Sequence, residues 1–242
     1  MVTVSEVQTE ADFEEVAPKK AWTQVAMDLS RKQPLGVFGL AIVLAMVVAA
    51  ALANVVSPFN PLQEHFDAML VPPGTDSYLL GTDEFGRDIL SRLIYGSRTA
   101  LLVGFVCAIV GSTAGLVLGV ASAYFGGLFD LILQRVLDVF MAFPLIILAL
   151  AVVATLGPGI ENVMIAIILP FVPQCARVVR SNALAIREIP YVDAARALGF
   201  SNARIILRHM VPNVMAPYLI MLTTFLGQAI LLEASLSFLG LG

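Results

Sequence analysis

Residues 35–56 run for 22 positions without a charge. A helix needs about 20 apolar residues to cross the hydrocarbon core of a bilayer, and a helix on the surface of a soluble domain keeps a polar face. The run is too long for the apolar core of a cleaved leader, and the segment before it is long and acidic. An uncleaved anchor is the expected reading, although Ala51 and Ala53 mimic a leader-cleavage site. The pattern then recurs. Residues 99–125 read as a second span, 131–156 as a third, 159–180 as a fourth and 213–238 as a fifth. Gly126-Gly127 and Gly157-Pro158-Gly159 mark the turns between spans two and three and between three and four.

Composition agrees. The chain is 59% apolar and 13% charged, with a mean hydropathy of +0.89. Soluble domains are about 45–50% apolar and about 25% charged. The net charge of −4 offers no basic surface for nucleic acid. Cys107 and Cys175 both fall in apolar stretches and suggest no disulfide framework. The only lysines are Lys19, Lys20 and Lys32, so no phosphate-binding Gly-rich loop with its lysine follows position 32. If ATP drives this protein, another chain hydrolyses it.

The polar segments give orientation. Residues 1–34 form an acidic tail in which 21–29, with Trp22, reads as a short interfacial helix or as plain tail. Counting alternate sides, Lys19, Lys20, Arg31, Lys32, Arg135, Arg177, Arg180, Arg187, Arg196, Arg204 and Arg208 fall on one side of the membrane. Arg87, Arg92 and Arg98 fall on the other. Eleven against three places the N-terminus and residues 181–212 in the cytoplasm and residues 57–98 outside.

Within the spans, Gly111, Gly115 and Gly119 stand four apart and expose one face of span two to close helix packing. Pro144, Pro170, Pro173 and Pro217 each remove a backbone donor and are expected to bend their helices. Arg135 and Asp138, three apart, read as a pair on one helix face. Glu233, inside the apolar run 219–241, reads as a cavity or interface residue or as one near the outer water boundary.

Residues 188–212 read as a cytoplasmic helix–turn–helix. Pro190 suits the first turn of a short helix and Gly199 its end. Ser201 suits the cap of a second helix that Pro212 limits near Val211. Tyr191, Ala194, Ala195 and Leu198 are expected to share one shallow face, for a docking partner or for packing against the chain's own spans.

Asp193-Ala194-Ala195, then Gly199, then Pro212, resembles the EAA signature of ABC importer permeases, with Asp where Glu is usual. The run Gly81-Thr82-Asp83, Gly86-Arg87-Asp88, Ser91-Arg92 is similar to a segment of the C-type subunit of the dipeptide, oligopeptide and nickel branch. Ala123-Tyr124-Phe125-Gly126-Gly127 and Leu236-Ser237-Phe238-Leu239-Gly240 also look like that branch. Four such stretches in one order, over about residues 30–242, carry more weight than any one.

The resemblance implies an all-α membrane protein, a polytopic helical bundle of the type I ABC importer permease kind, with five spans present of an expected six. Family members continue past the position of Gly242 with an outer stretch and a sixth span, so a truncated sequence is expected. It implies that Asp193, Ala194, Ala195, Arg196, Gly199 and Pro212 belong to the segment that couples to an ATPase subunit. It implies that Gly81, Thr82, Asp83, Gly86, Arg87 and Asp88 form an outer or interface motif. The implied partners are a second permease in a heterodimer, two nucleotide-binding ATPase subunits, an extracytoplasmic substrate-binding protein and membrane lipid, with no nucleic acid. No catalytic residue, metal or cofactor is expected in this chain, since ATP and magnesium would sit in the ATPase subunits. The implied location is the bacterial cytoplasmic (inner) membrane, multi-pass, N-terminus inside, and the cargo a di- or oligopeptide or a related small solute.

Two other classes remain open on residues alone. An intramembrane enzyme would need a nucleophile with its base or paired carboxylates. His65 and His209 are the only histidines, both outside the spans, and nothing pairs Asp138 with Glu233. An ATP-independent secondary transporter or channel subunit would be favoured by an internal repeat, and none joins 35–125 to 131–240.

Overall fold

A computed structural model describes residues 31–75 and 77–241. The expected tail helix 21–29 lies outside the described residues. Residues up to 48 and residues from 49 on form separate units.

In the first unit lies most of α1 (Pro34–Ala51), whose large apolar side chains, Leu35, Phe38 and Leu44 among them, are exposed. The second unit takes up the end of α1 and continues with a four-residue helix, α2 (Ala53–Val56). It then builds α3 (Ile89–Phe125), α4 (Gly127–Met141), α5 (Leu145–Leu156) and α6 (Ile160–Arg187). Two short helices, α7 (Pro190–Ala197) and α8 (Asn202–Ile205), lead through a π-turn and a 3-10 turn into α9 (Met215–Phe238). Among the described residues there is no β-strand beyond two isolated bridges in the loop before α3.

Four stretches are long and apolar enough to cross a membrane: 34–51, 89–125, 160–187 and 202–238. Counting the bent pair α4–α5 as one makes five. The expected span over 131–156 is bent at Pro144, as its sequence implied, and the bend is sharp enough to break it into two helices. α4 and α5 meet at 87° across Ala142, Phe143 and Pro144. Pro144 supplies no amide donor and pushes Phe143 away from the helical region, so α4 stops before it. α5 alone has 12 residues, about 18 Å of helix, too short to cross by itself. Pro170 and Pro173 behave differently: both are buried within α6, which continues across them.

The core forms where α3 meets α6. Gly111, Gly115 and Gly119 turn their bare face to that helix. A Cβ on Gly115 would stand 2.5 Å from Cys175 Cβ and 2.9 Å from Val172 O, and one on Gly119 would stand 2.6 Å from Ala176 O. The two backbones are in near contact, as small residues allow in a membrane. Phe171 of α6 stacks on Phe225 of α9 at 4.1 Å, which brings the last helix against the same core. Gly104 of α3 receives Ile230 of α9. Outside this core, Leu102, Phe105, Ile109 and Val117 of α3 and Leu219, Ile220 and Leu231 of α9 are exposed.

Two ion pairs tie α4 to α6. Arg180 Nε and Nη2 donate to the two oxygens of Asp130 at 2.6 and 2.5 Å. Ser122 of α3 donates to the same carboxylate, and Gln134 donates to Ser122. Asp138 receives Arg177 at 2.5 Å, while Arg135, its expected partner, is 3.9 Å away.

Candidate functional site

The loop before α3 builds itself from the residues of its motif. Thr82 is buried, with its hydroxyl donating to Ala68 O and accepting from Val71 N–H. Asp83 accepts from the amides of Phe85 and Arg87 and from the Arg87 and Arg92 guanidinium groups. Burial works to raise the Asp83 carboxyl, but the two backbone N–H groups and the Arg87 guanidinium outweigh it and hold it below the usual carboxylate range. Asp88 caps α3, accepting from Ser91 N–H at 2.8 Å. Gly86 takes φ +72°, and a Cβ there would lie 1.8 Å from His65 O. Gly81 is similarly pressed, 2.3 Å from Val71 O at φ +79°. Each residue of Gly81-Thr82-Asp83 and Gly86-Arg87-Asp88 thus has an internal task. Beside the loop, a groove of about 530 Å³ runs along Asn54, Phe59, Leu62 and Tyr95.

On residues 181–212 the structure differs from the expected hairpin in two ways. Residues 181–187 are the last turns of α6, so the hairpin proper begins at α7. The second arm does not stop at Pro212. α8 passes into a π-turn over Ile206–Met210, closed by Val211 N–H to Ile206 O, then a 3-10 turn over Val211–Val214, then α9. Pro212 occupies the first turn of the 3-10 segment, where a missing donor costs little.

α7 opens on Pro190 and ends on a Schellman closure: Phe200 N–H donates to Ala195 O and Gly199 N–H to Arg196 O. Gly199 takes φ +78° to make this turn, with nothing within 4 Å of an added Cβ. Ser201 caps α8, accepting from Arg204 N–H.

The expected shared face is corrected at Ala195. It is buried with Val192, in one cluster with Ile205 and Met210, while Tyr191, Asp193, Ala194 and Leu198 are exposed. Helical spacing puts Ala194 and Ala195 side by side, and the boundary between core and solvent runs between them. Arg196 pairs with Asp193 at 3.1 Å and lies over the Tyr124 ring, whose hydroxyl donates to Asn202 at 2.7 Å. The hairpin is therefore moored to the end of α3. A cleft of about 330 Å³ beside it is lined by Tyr124, Phe125, Arg187 and Arg196.

Residue spacing gave no hint of the part played by two further side chains. His209, in the π-turn, lies 5.7 Å from the Tyr191 ring and 6.3 Å from the Phe200 ring, and its Nε2 is shielded with no partner among the described residues. Asn213 donates from one nitrogen to His209 O and to Tyr191 Oη. Among the described residues no three His, Cys, Asp or Glu side chains cluster to hold a metal.

Comparison with known proteins separates the remaining readings. Residues 111–242 match the family described as the binding-protein-dependent transport system inner membrane component. Residues 22–73 match the N-terminal transmembrane domain of oligopeptide transport permease C. A protein of Brucella suis named for a peptide transport system permease is 45% identical over 204 residues, 84% of this chain and 68% of its own length. The dipeptide transport system permease protein DppC of Alkalihalophilus pseudofirmus is 38% identical over 221 residues, 91% of this chain and 72% of its own. The glutathione transport system permease protein GsiD of Escherichia coli is 36% identical over 213 residues, 88% and 70% of the two chains. In such importers the permease is non-catalytic and ATP hydrolysis resides in separate subunits. The chain belongs to this family: it is a multi-pass, all-helical permease subunit of an ABC importer of the dipeptide and oligopeptide branch.

Proposed function

We propose that this permease forms one half of a translocation pathway for di- or oligopeptides or a related small solute, and that α7 is its contact with an ATPase subunit. The relatives named for peptide, dipeptide and glutathione transport support the cargo. The observation that carries the coupling role is α7 itself. It is a short helix closed at both ends, held from behind by Val192 and Ala195, and it offers Asp193, Ala194 and Arg196 to solvent.

That geometry supports the following mechanism. Two ATPase subunits, holding ATP and magnesium, close and carry α7 with them. Because Val192 and Ala195 sit in the same apolar cluster as α3 and α6, displacement of α7 is passed to the spans rather than absorbed locally. Gly199 lets the chain turn back at once, and Pro212 sits where the return path enters α9. A second, non-identical permease completes the pathway, and an external binding protein delivers cargo on the side of residues 81–88. Exposed α3 residues such as Leu102, Phe105 and Val117 suit lipid. The bacterial cytoplasmic membrane, with the N-terminus and α7 inside, fits the arginine and lysine distribution.

The test is affinity purification of the assembled transporter from membranes, followed by ATPase assay. Wild type is expected to bring down an ATPase pair and a second permease. Gly199→Arg is expected to lose assembly or the response of ATP hydrolysis to loaded binding protein. A chain that purifies alone, with a Gly199→Arg variant that transports normally, contradicts the reading.

A further inference from the structure

The return arm of the hairpin should be its weak point. A π-turn carries one residue more than the α-helical register, and π-turns tend to sit where a helix is used rather than merely built. The following 3-10 turn and Pro212 loosen the ladder further. A push on α7 would flex this joint unless something bridged it.

Asn213 bridges it. Its Nδ2 donates to His209 O at 2.6 Å and to Tyr191 Oη at 3.1 Å. Tyr191 Oη in turn lies 3.4 Å from His209 O. One side-chain amide therefore joins the first turn of α7, the carbonyl of the π-turn and the root of α9. The His209 ring between Tyr191 and Phe200 backs the same junction.

We infer that Asn213 is a positioning residue for energy coupling: it clamps α7 to the root of α9, so that ATP-driven movement of α7 shifts α9 instead of flexing the π-turn. This rests on the proposed role of α7 as the ATPase contact. The clamp needs two N–H donors on one short side chain. Asp has the same shape and no amide donor. Leu has similar bulk and neither donor nor charge. Gln keeps the amide on a stem one methylene longer.

The test uses the assembled transporter in proteoliposomes, with Ser237→Cys as a reporter on the exposed end of α9. The native cysteines, Cys107 and Cys175, are buried. The rate of labelling by a membrane-impermeant maleimide is measured with and without magnesium ATP and vanadate, beside ATP hydrolysis and subunit stoichiometry. With Asn213 intact, the nucleotide is expected to change the labelling rate. With Asn213→Asp and with Asn213→Leu the complex is expected to assemble and hydrolyse ATP, while the nucleotide-dependent change shrinks roughly threefold, within the range that mutations along a coupling path produce. Asn213→Gln is expected to recover part of it. An undiminished change in both variants overturns the clamp, and so does an α9 that ignores nucleotide with Asn213 intact. If one variant fails to assemble, the other carries the same expectation, and failure of both, making Asn213 merely structural, also overturns it. Absence of any ATPase from the wild-type complex is a different failure and removes the role of α7 itself.

Discussion

Arg180 on α6 grips Asp130 at the start of α4 through two parallel hydrogen bonds, at 2.6 and 2.5 Å. Ser122 at the end of α3 donates to the same carboxylate, so three helices meet on one carboxyl group. The pair is mostly shielded from solvent, at 27% and 18% side-chain exposure. Two-pronged guanidinium–carboxylate bonds are among the stronger polar contacts, and an orphaned partner is costly. Asp130→Asn is expected to lower the stability of the purified complex by about 2 kcal/mol, the scale of a lost charge-assisted hydrogen bond. Thermal unfolding in detergent measures it. Asp138→Asn, at a pair nearly half exposed, is expected to cost much less.

The two kinds of glycine separate in a second experiment. Gly115→Ala places a methyl group 2.5 Å from Cys175 Cβ and 2.9 Å from two backbone atoms of α6, so the helices must part. The cost is expected at about 1–3 kcal/mol, as for other overpacked cores. Gly199→Ala meets no atom within 4 Å and suffers only from its positive φ. It is expected to cost about 1 kcal/mol. Thermal stability and yield of the assembled complex should rank wild type, then Gly199→Ala, then Gly115→Ala.

The charge-free runs made the helices legible, and the four-residue glycine spacing marked the face of α3 that meets α6, because both depend on residue type and period alone. Three features were not legible, each for a physical reason. Pro144 announces a bend, but its 87° angle depends on what α4 packs against, including Arg180 and Arg177. Ala194 and Ala195 are the same residue type one step apart, and only the position of the core decides that Ala195 is covered. The π-turn at 206–210 carries no composition signal, so Pro212 read as a stop although the helical path runs on into α9. The motif over 81–88 was recognisable by resemblance, yet its internal logic required the fold, because the groups that meet at Gly86 and Thr82 come from residues 65, 68 and 71.

The loop before α3 should respond to acid. The Asp83 carboxyl is held below its ordinary value by the Phe85 and Arg87 amides and the Arg87 guanidinium, against burial acting the other way. A lowered native pKa means that the stabilisation is fully present above the unfolded carboxylate value and is lost as pH falls through the native one. Amide protection at Phe85 and Arg87, corrected for intrinsic exchange, is expected to hold at neutral pH and to fall only below the ordinary carboxylate range. Asp83→Asn is expected to weaken protection at neutral pH and to flatten the acid dependence.

Gly86→Ala tests the same loop sterically. The added methyl would stand 1.8 Å from His65 O at φ +72°, so the loop over 65–86 cannot close as it does in the native chain. Proteolysis at Arg87 is expected to become much faster, while assembly with the ATPase, which the proposed contact places at α7, is retained.

The central claim is that the exposed side of α7 meets the ATPase. Ala194 is exposed and small, and Cys107 and Cys175 are buried, so an Ala194→Cys variant presents a single accessible thiol. Cross-linking that thiol with a short photoactivatable reagent in the assembled transporter, with and without ATP, measures the contact directly. The account predicts a covalent product with the ATPase subunit, in a yield that changes with nucleotide. A product confined to this chain, or none in either state while an ATPase is present in the complex, would contradict it.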